Sequence, residues 1–366
     1  MRIAYISLHW PRIMNSGVGR KIDDQLSMWR ENGHEVTFFS HLTKLKNSEQ
    51  LIAGENFYYS ELPGFFGRVK TEFNRSRAIL SLVHAVEEYQ PDLIYLRWGM
   101  YVFPSHLLFN IAPVVIEINT NDVLQHHILG PVLSFYNKIT RWVYLSRASG
   151  LVYVSHELSK NIHFTKFRKP GIVIANGIDL RSNLPVPAPN NARPRLGFIG
   201  SPDMVWHGVD KLIKLATLCP DLDVDIIGLD FPNTGEEIPG NLVFHGYLDK
   251  ARSSEILSKV DVGLSTLALH RINLNEASVL KSREYLAYGI PTIISYQDTD
   301  LAGLDLHTIL KLPNTEDNIS SNWETIREFS YRMRGQRVLR DEISNRIGLE
   351  EKEISRIEFF SERISV

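Results

Sequence analysis

Cysteine is almost missing from this chain: Cys219, just ahead of Pro220, is the only one in 366 residues. A lone thiol excludes a disulfide framework and fits a reducing compartment, expected here to be the cytoplasm. Long apolar runs are missing too, since no segment reaches the uncharged length that spans a bilayer. The opening MRIAYISLHWP has an apolar run of strand length stopped by Pro11, and no small-residue cleavage site follows, so it does not read as a signal peptide. Net charge is close to nil, −2 from 40 basic and 42 acidic residues, and no global field argues for a nucleic-acid partner. The usual phosphate fingerprints are lacking as well. Neither G-x-G-x-x-G nor a Walker loop with its Lys-Ser/Thr is present, which removes the usual sign of hydride transfer or ATP hydrolysis. His126 and His127 are adjacent, point in different directions along a helix, and lack partners at metal-ligand spacing, so they read as helix surface.

What is present is a regular alternation. The length suggests two domains, and 43% apolar with 22% charged residues is ordinary for a globular protein. RIAYISL (Arg2–Leu8) reads as a buried strand. GRKIDDQLSMWRENG reads as a helix with Ile22, Leu26 and Trp29 on one face and Gly33 at its end. HEVTFFS, PDLIYLRW, PVVIEIN, GLVYVS and GIVIAN continue the strands, with helical patterns around 74–89, 133–147 and 156–163 between them. The run Leu180–Arg195 holds four prolines and no periodicity, and reads as a linker. The alternation then restarts with RLGFIG, DVDIIGL, NLVFHG, DVGLST and PTIIS. The expected fold is therefore α/β, with two Rossmann-like doubly wound domains: 1–180, a linker at 181–195, 196–345, and a last helix at 346–366 packing back on the first domain. Two such domains face each other across a cleft at the C-terminal ends of their strands, where ligands of open α/β sheets bind.

The loops after the strands carry the candidate chemistry. Gly17 and Gly19 stand just before the first helix, where backbone N–H groups face an anion. Glu117 and Asn119 end a strand, with Asp122 near. Gly200 and Ser201 follow RLGFIG, and His207 opens the next helix as either a phosphate contact or a cap. In NEASVLKSREYLAYGIPTIIS, Ser278 suits a helix cap and Gly289 with Pro291 ends the helix. Glu276 lies in the loop before that helix, and Glu284 and Lys281 share one of its faces. A carboxylate there suits the two hydroxyls of a ribose diol, and a lysine beside it suits a phosphate.

Taken in order, these features resemble the retaining glycosyltransferases of the GT-B fold, family four (glycosyl transferases group 1). The resemblance rests on SGVGRK, ENGHEVTFFS, VVIEIN, VSHELSKNI, IANGID, FIGSPDMVWHGVDKLI, VFHGYL, DVGLST and an E-x7-E ending in EYLAYGIPTIIS. It implies a nucleotide-diphosphate-sugar donor held mainly by the second domain, an acceptor on the first that is a glycan or lipid-linked glycan, and no metal or other cofactor. It places Glu276 on the donor sugar, Glu284 on the ribose, and Gly17, Gly19, Gly200 and Ser201 near the diphosphate. Asn119 occupies roughly the place of a histidine beside the anomeric carbon, and Lys281 matches a basic residue found in K-x-x-E-Y-L. The implied work is cell-surface polysaccharide or glycoconjugate synthesis.

The chain departs from that pattern at two points. Ser201 and His207 stand where many members have arginine and lysine on the diphosphate, and Ala277-Ser278 replaces the usual glycine-rich run after the first glutamate. Lys281, His207 and Arg20 or Lys21 are candidate substitutes. The alternative reading is a catalytically weak or inactive nucleotide-sugar-binding partner of another transferase; an epimerase of related architecture fits the E-x7-E spacing less well. Finally, GFFGRVKTEFNRSR (64–77) mixes aromatic and basic residues, which suits either peripheral contact with the inner face of the plasma membrane or an ordinary surface helix.

Overall fold

The computed structural model describes residues 1–9, 16–43, 52–124, 130–202, 204–231 and 238–365, so His126 and His127 lie outside the described residues. The chain forms two compact units, 1–175 with 350–366 and 176–349.

In unit 1 seven parallel strands run in the order β3-β2-β1-β4-β5-β6-β7. They are β1 (Arg2–Ser7), β2 (Glu35–Thr43), β3 (Glu55–Tyr59), β4 (Leu93–Arg97), β5 (Val114–Ile118), β6 (Gly150–Tyr153) and β7 (Gly171–Val173). Ile3, Ala4, Tyr5 and Ile6 are all fully buried, because a central parallel strand is covered on both faces. Strand progression reverses between β1 and β4, which makes the C-terminal ends of β1, β4 and β5 the natural place for a ligand. Helix α1 (Gly17–Glu31) buries Ile22, Leu26 and Trp29, the face expected from the sequence, and Gly33 ends it at φ 81°. Two long helices follow, α2 (Phe65–Tyr89) and α3 (Pro131–Leu145). The C-terminal helix Glu350–Ile364 belongs to this unit. Its Phe360 packs on Trp29 and Tyr95, and Trp29 Nε1 donates to Glu353 at 2.8 Å. Strand β3 was not foreseen: it is a short edge strand of partly exposed residues, with no apolar alternation to betray it.

Unit 2 has a six-stranded parallel sheet, β10-β9-β8-β11-β13-β15. Its strands are β8 (Arg195–Ile199), β9 (Asp223–Ile227), β10 (Leu242–Phe244), β11 (Val262–Leu264), β13 (Thr292–Ile294) and β15 (Ile309–Lys311). A separate two-stranded pair joins β12 (Glu276–Ala277) to β14 (Gln297–Asp298). Helices α4 (Val209–Leu218), α5 (Lys250–Ser258), α6 (Leu280–Ala287), α7 (Trp323–Met333) and α8 (Arg340–Ile347) complete it. The three-residue β15 is absent from the strands read in the sequence, since a run so short leaves no period to detect.

The proline-rich run is fastened to unit 2. Val186 N–H donates to Tyr288 O at 3.0 Å, and Arg337 and Arg340 donate to the carbonyls of Leu180, Asn183, Val186 and Pro187. Prolines cannot form a ladder of their own, so guanidinium donors from the C-terminal end of the unit satisfy these carbonyls instead. Among the described residues no helix is long and apolar enough to cross a membrane.

Candidate functional site

Helix α6 explains why its sequence mixes charge with apolar residues: every residue from Lys281 to Ala287 is buried. A helix buried all round is ordinarily apolar, so each polar side chain here needs a partner. Arg283, fully buried, grips Asp298 with two bonds of 2.7 and 2.8 Å. It also reaches Asp300 at 2.9 Å, Asn176 O at 3.0 Å and Ser278 Oγ at 3.1 Å. Ser282 shares a hydroxyl network with Ser265 and Tyr296. Tyr285 OH accepts the Ile199 N–H at 2.8 Å, fixing the end of β8, and Gly263 leaves the space its ring fills, since a Cβ there would lie 2.5 Å from it.

Ser278 is not the helix cap expected from the sequence. The N-cap is Val279 with no side-chain bond, and Ser278 Oγ accepts instead from Asn176 N–H at 2.8 Å and from Arg283. Two stronger donors have taken the oxygen that would have capped the helix. The clamp fixes the segment that carries Glu276, whose strand β12 pairs with β14 in the register Glu276↔Gln297. Glu276 and Glu284 are both buried, at 7% and 8% exposure.

Lys281 is the exception on this helix. Among the described residues its Nζ has no hydrogen-bond partner, and it sits 3.9 Å from the centroid of the Phe198 ring. Burial holds its pKa well below the usual lysine range. The surface ion pair with Glu284 that the spacing allowed is therefore absent. His207 lies close by, its ring packed edge-on to Phe198. Burial, and then the Lys281 charge, push the His207 pKa down to about 2, so the ring is neutral and cannot serve as a cationic phosphate contact. Its Nδ1 accepts the Ser201 N–H at 3.4 Å, which leaves the proton on Nε2 as a donor. Gly200 N–H is committed to Ile227 O at 2.8 Å. A Cβ on Gly200 would meet Leu229 at 2.6 Å, so this glycine serves close packing. Gly200, Ser201, His207 and Lys281 thus converge at the C-terminal end of β8.

A buried lysine without a counter-charge is costly to the fold, and an arriving anion would restore its proton and its charge. Lys281→Met should stabilise the empty protein by about 1–3 kcal/mol, since an apolar chain of similar length replaces a buried amino group that has no hydrogen-bond partner among the described residues. The same variant should bind a nucleoside diphosphate at least about tenfold more weakly. Chemical denaturation and calorimetry on one preparation check both signs.

Unit 1 gathers a second charged group. Glu117, fully buried on β5, receives Lys21 Nζ at 2.7 Å and Arg97 Nη1 at 3.0 Å, with Arg356 at 3.7 Å. Three cations around one anion hold the Glu117 carboxyl far below the usual range. Lys21 is pushed down to about 8 by burial and by its two cationic neighbours, despite the attraction of Glu117. The two shifts agree physically: the shared anion gains from every cation, while each cation feels the other two. Asn119 is tied into the same group. Its Oδ1 accepts from Lys21 at 3.2 Å and its Nδ2 donates to Glu117 Oε2 at 2.9 Å, so its amide is held by neighbours. Gly17 and Gly19 lie inside the first turn of α1. Gly19 N–H is donated to Ser16 Oγ at 2.9 Å, which takes it from the anion-binding role expected of it; Gly17 is exposed.

Sequence reading missed Arg283 with its two aspartates, and the joint role of Lys21, Arg97 and Arg356. One signal was available: a glutamate inside the apolar strand VVIEI requires a buried cation somewhere in the chain. Among the described residues no group of three or more His, Cys, Asp or Glu is arranged to hold a metal ion.

The profile described as Glycosyltransferase Family 4 matches residues 15–182. No curated protein matches the sequence. Among solved structures, sucrose-phosphate synthase from Thermosynechococcus elongatus superposes with a TM-score of 0.68 at 14% identity, covering 100% of this chain and 99% of its own. HepE of Anabaena, in complex with UDP and glucose, gives 0.63 at 12% identity, with 99% and 100% covered. The lipopolysaccharide outer core galactosyltransferase WaaB gives 0.62 at 14% identity, with 99% and 100% covered. The glycosyltransferase family 4 profile thus falls on the first unit, and the fold along the whole chain is the GT-B fold of these solved glycosyltransferases.

Proposed function

We propose that the chain moves a sugar from a nucleotide-diphosphate sugar to a glycan or lipid-linked acceptor, with retention of configuration and without a metal ion. The observation that carries this reading is Lys281, a buried lysine whose Nζ has no hydrogen-bond partner among the described residues, beside Phe198 of a central parallel strand. A departing diphosphate is the ligand such a group suits, and His207 Nε2–H adds a neutral donor beside it. Glu284, one turn from Lys281 on α6, takes the ribose hydroxyls, and Glu276 takes the sugar. In the retaining pathway the leaving phosphate accepts the acceptor's proton, so no second carboxylate pair of the hydrolase kind is required. In unit 1, Asn119 is a fixed polar group for the acceptor side, held by Glu117 and Lys21. Neighbouring structures carry UDP or UDP-glucose, which makes uridine donors the first to test. Cell-surface polysaccharide synthesis and a peripheral membrane contact through 64–77 complete the reading.

A panel of UDP- and GDP-sugars, followed by thermal unfolding, tests it. A cognate donor at a hundredfold its Kd adds about 2.7 kcal/mol, or roughly 5–10 °C for a unit of this size. No shift with any member of the panel would overturn the reading. The neutral His207 and the serine at 201 favour one other outcome: donor binding without turnover, in which case the chain is the nucleotide-sugar-binding partner of another transferase.

A further inference from the structure

Helix α3 puts Tyr144 and Leu145 into the core but buries polar and exposes apolar side chains before them. The side packed on unit 1 carries Asn137 and Arg141, both buried and both bound to Asp122, at 2.7 and 2.9 Å. The opposite side turns Val132, Phe135, Ile139 and Trp142 to solvent, at 79%, 65%, 48% and 55% exposure. Spacings of three, four and three residues put these four in one stripe. Helix α2 repeats the feature with Val69 and Phe73, and the charges of its Glu72 and Arg75 reach Tyr136 on α3, so the two helices are neighbours. Apolar exposure concentrated in this way marks a docking surface.

Charge selects the occupant. Residues 131–147 contain Lys138, Arg141 and Arg147 and no carboxylate, and 64–77 contain four basic residues against Glu72, in a chain whose net charge is −2. Arg141 is already paired with Asp122, whereas Lys138, Arg147, Lys70 and Arg77 are exposed. A second copy joined by a two-fold axis would set this basic rim against itself. An anionic bilayer meets both the apolar stripe and the rim, and a tryptophan is at home at its interface. We propose that unit 1 docks on an anionic lipid surface through α3, with Phe135 and Trp142 inserted and α2 alongside. This deepens the contact proposed for 64–77 and stands apart from the transfer chemistry.

Vesicle flotation of the full chain tests it, with thermal midpoints checking each variant's fold independently of any donor. The protein should float with phosphatidylglycerol-containing vesicles and remain behind with pure phosphatidylcholine. Phe135→Ser combined with Trp142→Ser should weaken partitioning by roughly a hundredfold. Lys138→Glu combined with Arg147→Glu should weaken it by about tenfold or more, and raised salt should do the same. Absence of flotation, equal flotation on both vesicles, or unchanged flotation of the serine variant overturns the proposal. So does a wild-type dimer that the serine variant converts to monomer.

Discussion

Alanine at Glu276 should reduce sugar transfer by roughly a thousandfold or more while changing stability by less than about 1 kcal/mol. The two effects separate because different atoms carry them. The backbone of β12 is held without its side chains: Gln297 N–H donates to Asn275 O at 2.8 Å, Thr299 N–H to Ala277 O at 3.4 Å, and Arg283 locks Asp298 and Ser278 on either side. Removing the carboxylate therefore leaves the segment where it is. Chemically, cleaving a glycosyl phosphate builds positive charge on the sugar as negative charge leaves with the diphosphate. In the proposed reaction the Glu276 carboxylate serves the first and Lys281 serves the second. Glu276→Gln distinguishes two ways of acting, since glutamine keeps a hydrogen-bond acceptor for a sugar hydroxyl and loses the charge. Partial recovery in the glutamine variant means positioning, and none means electrostatic stabilisation. The measurements are nucleoside-diphosphate release and thermal unfolding, and wild-type turnover in the alanine variant would sink the assignment of Glu276.

How much of this was legible in the sequence depends on the reach of each interaction. The face Ile22–Leu26–Trp29 was readable because helical period alone produces it, and Arg2–Leu8 because a central parallel strand is apolar on both sides. The E-x7-E spacing located α6 but put Glu276 in a loop, where the structure has the two-residue strand β12. Ser278 looked like a cap because capping is local chemistry; its actual partners, Asn176 and Arg283, lie 102 and 5 positions away. Helical spacing put Lys281 and Glu284 on one face, and could not report that the whole helix is buried. His207 looked like a possible cation because its depressed pKa arises from burial and from Lys281, 74 residues on. Helix α3 was visible as a helix and invisible as a surface, since its Asn137 and Arg141 turn inward to Asp122 against the usual pattern.

Glutamine at Glu117 should cost about 3–5 kcal/mol at neutral pH, the expected penalty for breaking a buried ion pair from one side. The substitution preserves shape and leaves Lys21 and Arg97 without their anion; Arg356 keeps Glu353 at 2.9 Å. Its pH dependence gives the signature. In the wild type the Glu117 pKa lies below its unfolded value, so the stability it supplies is present above that unfolded value and is lost as pH falls toward the folded one. Lys21 behaves oppositely: its folded value of about 8 lies below the ordinary 10.5, so between the two the unfolded chain binds more protons and stability rises with pH. Without Glu117 the lysine loses the one charge that holds its pKa up, and the folded value must fall further. The variant therefore begins to recover at lower pH than the wild type does, and its deficit should shrink once Lys21 is neutral. Urea denaturation of both proteins near neutral pH and again above the Lys21 value measures the difference. A deficit that is absent at neutral pH, or that grows as Lys21 loses its proton, would show that Glu117 does not hold these cations in the fold. Because the same carboxylate fixes Asn119 through a 2.9 Å bond, the variant should also loosen the one polar group of unit 1 assigned to the acceptor.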